Sequence, residues 1–188
     1  MKQELDPAEQ QWLSRLAGEA LRDAVTGRPV SAVDREALAA AAPRLLEPAG
    51  AFVTVYVDGE LRGCLGEVDP AEPLVEVARR CAARAARHDY RFAPVTPDEW
   101  PGVTWKISVL TRPVPIQDPA EIVIGRDGLI AEHGVQRGLL LPDVASERGW
   151  DVETFLVQLR RKAGIDAEVP WSEIWLERFE TQIIEGRP

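Results

Sequence analysis

The sequence is short of the residues that most often announce an activity. It has two cysteines, two histidines, one methionine and two tyrosines in 188 residues. Two cysteines cannot build a disulfide framework, and in a reducing compartment both stay as thiols. No CxxC, HxxxH or HExxH pattern occurs, so no metal is expected, and there is no CxxxCxxC run to hold an iron–sulfur cluster. Walker and dinucleotide glycine patterns are missing too, and Gly125-Arg126-Asp127-Gly128 is too short to be more than a turn. No cofactor is expected. No stretch approaches the ~18 apolar residues of a membrane span. The opening residues MKQELDPAEQ contain no apolar signal region, so the expectation is a cytoplasmic protein without a membrane partner. Positive charge is scarce overall: the formal net charge is −9, which repels polyanions and argues against nucleic acid.

What is present reads as one globular domain over 1–188, with 45% hydrophobic and 28% charged residues. Asp6-Pro7 followed by Glu9 is a capping box with proline at the first helical position, and Trp12, Leu13, Leu16, Ala17, Ala20 and Leu21 continue as an apolar stripe. A second helix is expected from about Val33 to Ala42, stopped by Pro43. Residues 51–65 read as a β-hairpin around Asp58-Gly59, the residue types of a type I′ turn. A helix over about 73–87 comes next, with Leu74, Val77, Ala78, Cys81, Ala82 and Ala85 on its buried side. Cys81 is read there as a small buried hydrophobe. Arg79, Arg80, Arg84, Arg87 and Arg91 form a local basic cluster, either a solvated face or an anion site.

Val103–Thr111 is expected as a strand, with short strands at 122–124, 129–131 and 135–141 and a last one over 175–184. Asp151 caps a further helix that Gly164 ends. Helices and hairpins without βαβ alternation predict an α+β fold: a largely antiparallel sheet flanked by helices, with a smaller subdomain within about 112–150.

The stretch that concentrates chemistry is Leu61-Arg62-Gly63-Cys64-Leu65-Gly66. It reads as a strand end running into a glycine-rich turn. Strand alternation puts Arg62 and Cys64 on one face, a cation beside a thiol, while Gly63 and Gly66 leave room for an anion cradle. Two roles stand open for Cys64, a reactive thiol or a small residue packed under the turn. A thiol nucleophile needs a base. The two histidines, His88 at a helix end and His133 in an apparent hairpin turn, both read more simply as surface residues. Asp89 and Arg91 either form a local ion pair or line a binding cleft with Arg62. The six tryptophans leave room for a protein-binding surface.

The motifs LRGCLG, HDYRF, PVTPDEW, WKISVLT, IGRDGLI, RGLLLPDVASERGWD and FLVQLRRKAG occur in that order. Together they resemble the AMMECR-type domain, also called AmmeMemoRadiSam system protein A, over about residues 10–180. That family's motif typically reads RGCIG, so Leu65 is a mild apolar replacement. The resemblance implies an α+β domain with a larger and a smaller lobe, and it marks Arg62, Gly63, Cys64, Gly66, Asp89, Arg91 and Phe92 as signature positions. It further implies Memo-type and radical-SAM proteins as partners, in a pathway without settled chemistry. Two readings result. In one, Cys64 and Arg62 act on an anionic small molecule held by Gly63, Gly66, Asp89, Arg91 and His133. In the other, the chain is a non-enzymatic adaptor.

Overall fold

A computed structural model describes residues 4–68 and 71–188. They form two compact units: the first runs to Leu110 and resumes over Gln182–Pro188, and the second is Thr111–Thr181. The fold is α+β, with an antiparallel sheet in each unit.

The first unit opens with α1 (Pro7–Val25). The Asp6 carboxylate accepts from the N–H groups of Ala8 and Glu9, and Glu9 reaches back to the Asp6 N–H, so the expected capping box is present. Leu13, Leu16, Ala17, Ala20 and Leu21 are buried, as their spacing requires. The short α2 (Arg35–Ala41) is capped by Asp34. β1 (Ala51–Val57) and β2 (Glu60–Glu67) form the hairpin, turning at Asp58 and Gly59 with φ of 50° and 85°. α3 (Leu74–Arg87) buries the stripe read from the sequence, Cys81 included. β3 (Val103–Leu110) completes the contiguous part of the unit. A last strand, Thr181–Gly186, joins the sheet on the far side of β3. The Gln182 side chain ties it to the main chain of Leu5, accepting at 2.8 Å and donating at 3.0 Å.

One side of this sheet is apolar. Ala51, Val53, Val55 and Val57 of β1 and Val103, Trp105, Ile107 and Val109 of β3 are buried in a core shared with α1 and α3. Alanine is frequent on the buried side of α3, which lets the helix approach β2 closely. A methyl group on Gly63 would come within 2.0 Å of the Ala85 carbonyl oxygen.

The second unit contains β4 (Val114–Pro115), β5 (Gly128–His133), β6 (Gln136–Leu140), α4 (Pro142–Glu147), α5 (Val152–Ala163) and β7 (Trp175–Phe179), with strand order β4-β7-β5-β6; the strand Thr181–Gly186 is thus β8. Phe155, Leu156 and Leu159 of α5 bury against Leu129 and Ala131 of β5. The sequence predicts a smaller subdomain within 112–150. The compact unit extends to Thr181 because α5 and β7 complete the core that the short strands begin.

Two strand expectations change. Residues 122–124 form no strand, since the Asp127 carboxylate accepts the Val123 N–H at 2.9 Å and the Val123 carbonyl accepts from Arg126 and Asp127, closing a turn. The final strand is two strands in different sheets, interrupted at Glu180, whose main chain pairs with Thr111 instead. No helix among the described residues is long and apolar enough to cross a membrane.

Candidate functional site

The segment expected as a glycine-rich turn is extended throughout: β2 runs on to Glu67. Gly63 and Gly66 have no positive φ. Their lack of a side chain serves close approach instead, Gly63 to α3 and Gly66 to the Phe52 ring, which a methyl group would meet at 2.3 Å. The pairing of β2 with β1 slips by one residue in the middle. Tyr56 stands opposite Leu61 and Val55 opposite Gly63, so Arg62 has no partner across the ladder. A bulge of this kind exchanges the faces of everything beyond it. Without it, the two-residue turn would set Cys64 opposite Val53, facing the core. With it, Gly63 faces α3, and Cys64 stands opposite Thr54 on the outer face.

The bulge also undoes the expected pairing of Arg62 with Cys64. The Arg62 guanidinium is bound to Glu99, at 3.4 Å from Nη2 to Oε2, and donates to the Ala93 carbonyl at 3.1 Å. Hydrogen bonds from Arg62, then from the Thr96 N–H and hydroxyl, hold the Glu99 carboxyl down to about 2.

The cation at Cys64 is Arg91. Its Nη2 donates to the Cys64 carbonyl at 2.9 Å, and Nε and Nη2 both donate to Asp89, at 2.8 and 2.6 Å. The Asp89 carboxylate, only 1% exposed, accepts the Cys64 N–H at 2.9 Å. β2 is an edge strand, and its outward main-chain groups need partners. At Cys64 the Asp89 and Arg91 side chains supply both. The Arg91 guanidinium, working against the penalty of burial and helped by the Cys64 and Arg91 N–H groups, holds the Asp89 carboxyl down to about 2. Of the two sequence readings of this pair, the local ion pair is the one found, and it also grips the cysteine; Arg62, expected beside it in a cleft, is bound to Glu99 instead.

Cys64 is only partly buried, and the Thr54 hydroxyl donates to its sulfur at 3.3 Å. Cys81 is the opposite case: fully buried in α3, its thiol is pushed up to about 12, first by burial and then by the charge of Glu67. Phe92 lies beneath the Arg91 guanidinium, 5.4 Å from it, and is half-buried; Val95 is the residue of this loop that enters the core.

A model of the AMMECR1 family matches residues 14–184. The chain belongs to the AMMECR1 family. It is 45% identical to Protein MJ0810 of Methanocaldococcus jannaschii over 148 residues, 74% of each chain. A protein of Thermococcus onnurineus is 40% identical over 192 residues, covering 93% of this chain and 89% of the relative. The crystal structure of uncharacterized protein PH0010 from Pyrococcus horikoshii has the same fold, with a TM-score of 0.82, 34% identity, and coverage of 96% of this chain and 93% of that one.

Other expectations for an AMMECR1-type site fare unevenly. His133 is the last residue of β5, opposite Gln136, and belongs to the second unit, whereas Arg62, Gly63, Cys64, Gly66, Asp89 and Arg91 belong to the first. The hairpin turn lies one residue further on than expected, at Gly134-Val135. The arginine cluster is largely neutralised. Arg80 holds Glu67 through two bonds of 2.9 and 2.8 Å and also binds Glu72, Arg84 lies 4.0 Å from Glu67, and Arg79 is buried against the Ser31 carbonyl and Glu76. Among the described residues no group of three His, Cys, Asp or Glu side chains is placed to hold a metal. Sequence reasoning missed Thr54 and, one strand further, Lys106, which stands opposite Thr54. Their signal was the hairpin register, which is legible only once the bulge is known.

Proposed function

We propose that this AMMECR1-family chain acts through Cys64 as a reactive thiol, at a site that takes an anionic small molecule. The observation that carries this reading is the treatment of Cys64. Its N–H and C=O are gripped by the Asp89–Arg91 pair, while the residue is only partly buried and its sulfur accepts from the Thr54 hydroxyl. Cys81, by contrast, is buried in the apolar stripe of α3. The work belongs, on this proposal, to a cytoplasmic pathway shared with Memo-type and radical-SAM proteins. Alkylation of the folded protein, followed by peptide mass spectrometry, tests it. Cys64 is expected to react in the native state while Cys81 stays protected until unfolding. A Cys64 that reacts only on unfolding sinks the proposal.

A second reading, a binding module for a protein partner, is favoured by Tyr90. It lies between the two signature residues, yet is 96% exposed. Trp175, 55% exposed, offers a further aromatic contact in the second unit. Pull-down with Memo-type and radical-SAM proteins both present decides it: enrichment of either that is lost on Tyr90→Ala supports a binding module, and enrichment of neither removes that reading.

A further inference from the structure

A groove of about 770 Å³ in the first unit is lined by α1, by β8 with the residues after it, and by Trp100 and Trp105. On α1 its lining begins at Pro7 and ends at Arg22, about 22 Å of helix. The volume is that of an ordinary small-molecule site. Its two long walls are held in register. Gln182 is tied to Leu5, and the Ser14 hydroxyl donates to the Glu185 carbonyl at 3.2 Å, so β8 follows α1 in the same direction. Gly186 and Gly18 then touch the Trp105 indole from the two sides: a methyl group on them would meet it at 2.2 and 2.5 Å. Arg187 follows Gly186, and Arg22 lies one helical turn past Gly18, which places both arginines at the same end of the groove.

Neither of these arginines is matched. Arg15, the third arginine of the lining, is bound to Glu19 at 3.0 Å and lies over the Trp12 ring. Arg22 and Arg187 are exposed, and their side chains have no hydrogen-bond or ion-pair partner among the described residues. The Trp105 ring that the glycines touch is stacked on Trp100, with centroids 6.4 Å apart and planes inclined by 23°, and Trp100 is partly exposed.

We infer that this groove, independently of Cys64, binds a mononucleotide, with the phosphate held by Arg22 and Arg187 and the base stacked on Trp100. A guanidinium fork takes phosphate oxygens two at a time, and two unmatched forks suit a dianion. An indole surface stacks on any base. The Gln11 amide, exposed on the α1 wall, brings both a donor and an acceptor, which a base edge can use and a plain phenyl ring cannot. The seat needs none of the glycine-rich phosphate loops that the sequence lacks, because side chains rather than main-chain N–H groups supply its donors. A single nucleotide also meets far less of the repulsion that a net charge of −9 exerts on a polyanion. Glu185, exposed in the lining, works against the phosphate.

Titration calorimetry on the full chain tests this, with no tag at the C-terminus because Arg187 and Pro188 line the groove. The ligands are adenosine, guanosine, cytidine and uridine monophosphates, with the nucleosides, phenyl phosphate and inorganic phosphate as controls. At least one nucleotide should bind saturably, and about tenfold or more tighter than its nucleoside, than phenyl phosphate and than inorganic phosphate. Arg22→Met and Arg187→Met should each weaken it by about tenfold, the loss of one charge-assisted hydrogen bond, and Glu185→Gln should tighten it. All three positions are exposed, so the unfolding midpoints should stay at that of the parent chain. Amide shifts in the parent chain locate the ligand without any variant: they should saturate at Gly18, Arg22 and Gly186. Phenyl phosphate binding as tightly as every nucleotide overturns the base site, and a nucleoside binding as tightly as its nucleotide overturns the phosphate seat. No saturation with any nucleotide, or shifts confined to other residues, overturns the whole proposal.

Discussion

Thr54 stands opposite Cys64 across the hairpin, and its hydroxyl donates to the cysteine sulfur at 3.3 Å. This pairing exists only because the strand carries one residue more than its partner at Arg62. Thr54→Val keeps the shape and removes the donor, in a side chain that is itself buried. Alkylation of Cys64 is expected to slow by about fivefold, the worth of one hydrogen bond of ~1 kcal/mol, with the unfolding midpoint little changed. An unchanged rate makes the contact incidental.

Arg62 and Arg91 separate the two accounts of the site. If alternation alone ruled, Arg62 would tune the thiol. In the structure Arg62 is matched by Glu99, and Arg91 touches the cysteine main chain. Arg91→Gln is therefore expected to alter the rate of Cys64 alkylation by several-fold, and Arg62→Gln to leave it within about twofold while loosening the loop over 93–99. The reverse pattern restores the reading by alternation.

Gly63→Ala should be among the most damaging single-atom changes in the chain. The added methyl group meets a helix main-chain oxygen at 2.0 Å and has no side chain to push aside. Either α3 or β2 moves, at a cost of about 1–3 kcal/mol or more, read as a lowered urea midpoint. A midpoint within error of the parent chain contradicts the close approach of α3.

Asp89 gives stability a defined pH dependence. Its carboxyl is lowered from an ordinary 3.8 to about 2 in the folded chain. A carboxylate shifted in that direction stabilises fully above its unfolded value, and its contribution fades as pH falls through the folded one, for a total of about 2 kcal/mol. The stability difference between the parent chain and Asp89→Asn should be constant above about pH 5, shrink below pH 4 and vanish near pH 2. A difference that does not change between pH 6 and pH 2.5 shows that the carboxylate charge plays no part.

Local chemistry was readable wherever it acts over a few residues. The Asp6–Glu9 capping box, the Asp58-Gly59 turn and the apolar stripe of α3 each need only their own neighbours, and each is found in the fold. The site was half legible. Cys64, Asp89 and Arg91 were singled out, and the fold brings them together, but the cation expected beside Cys64 was Arg62. The partner of Cys64 was not legible, because the bulge at Arg62 goes with the packing of Gly63 against Ala85, a tertiary contact between β2 and α3 that no local pattern in the strand announces. The same kind of reason hid the interruption at Glu180: nothing in Trp175–Ile184 itself says that Thr111 will claim that residue's main chain.

The route of the chain has a consequence for the order in which it becomes native. A nascent chain releases β1, β2 and β3 well before β8, so the first sheet waits with β3 as an open edge while the whole second unit is made. Thr111 and Glu180 bind each other inside that second unit, at 2.9 and 2.8 Å. Once it folds, the long stretch between β3 and β8 counts as a short connection, and the entropy of bringing them together has already been overcome. Pulse-labelled hydrogen exchange during refolding should accordingly see amides of β5 and β7 protected before those of β8. The inserted unit would then serve as the splint on which the first sheet closes.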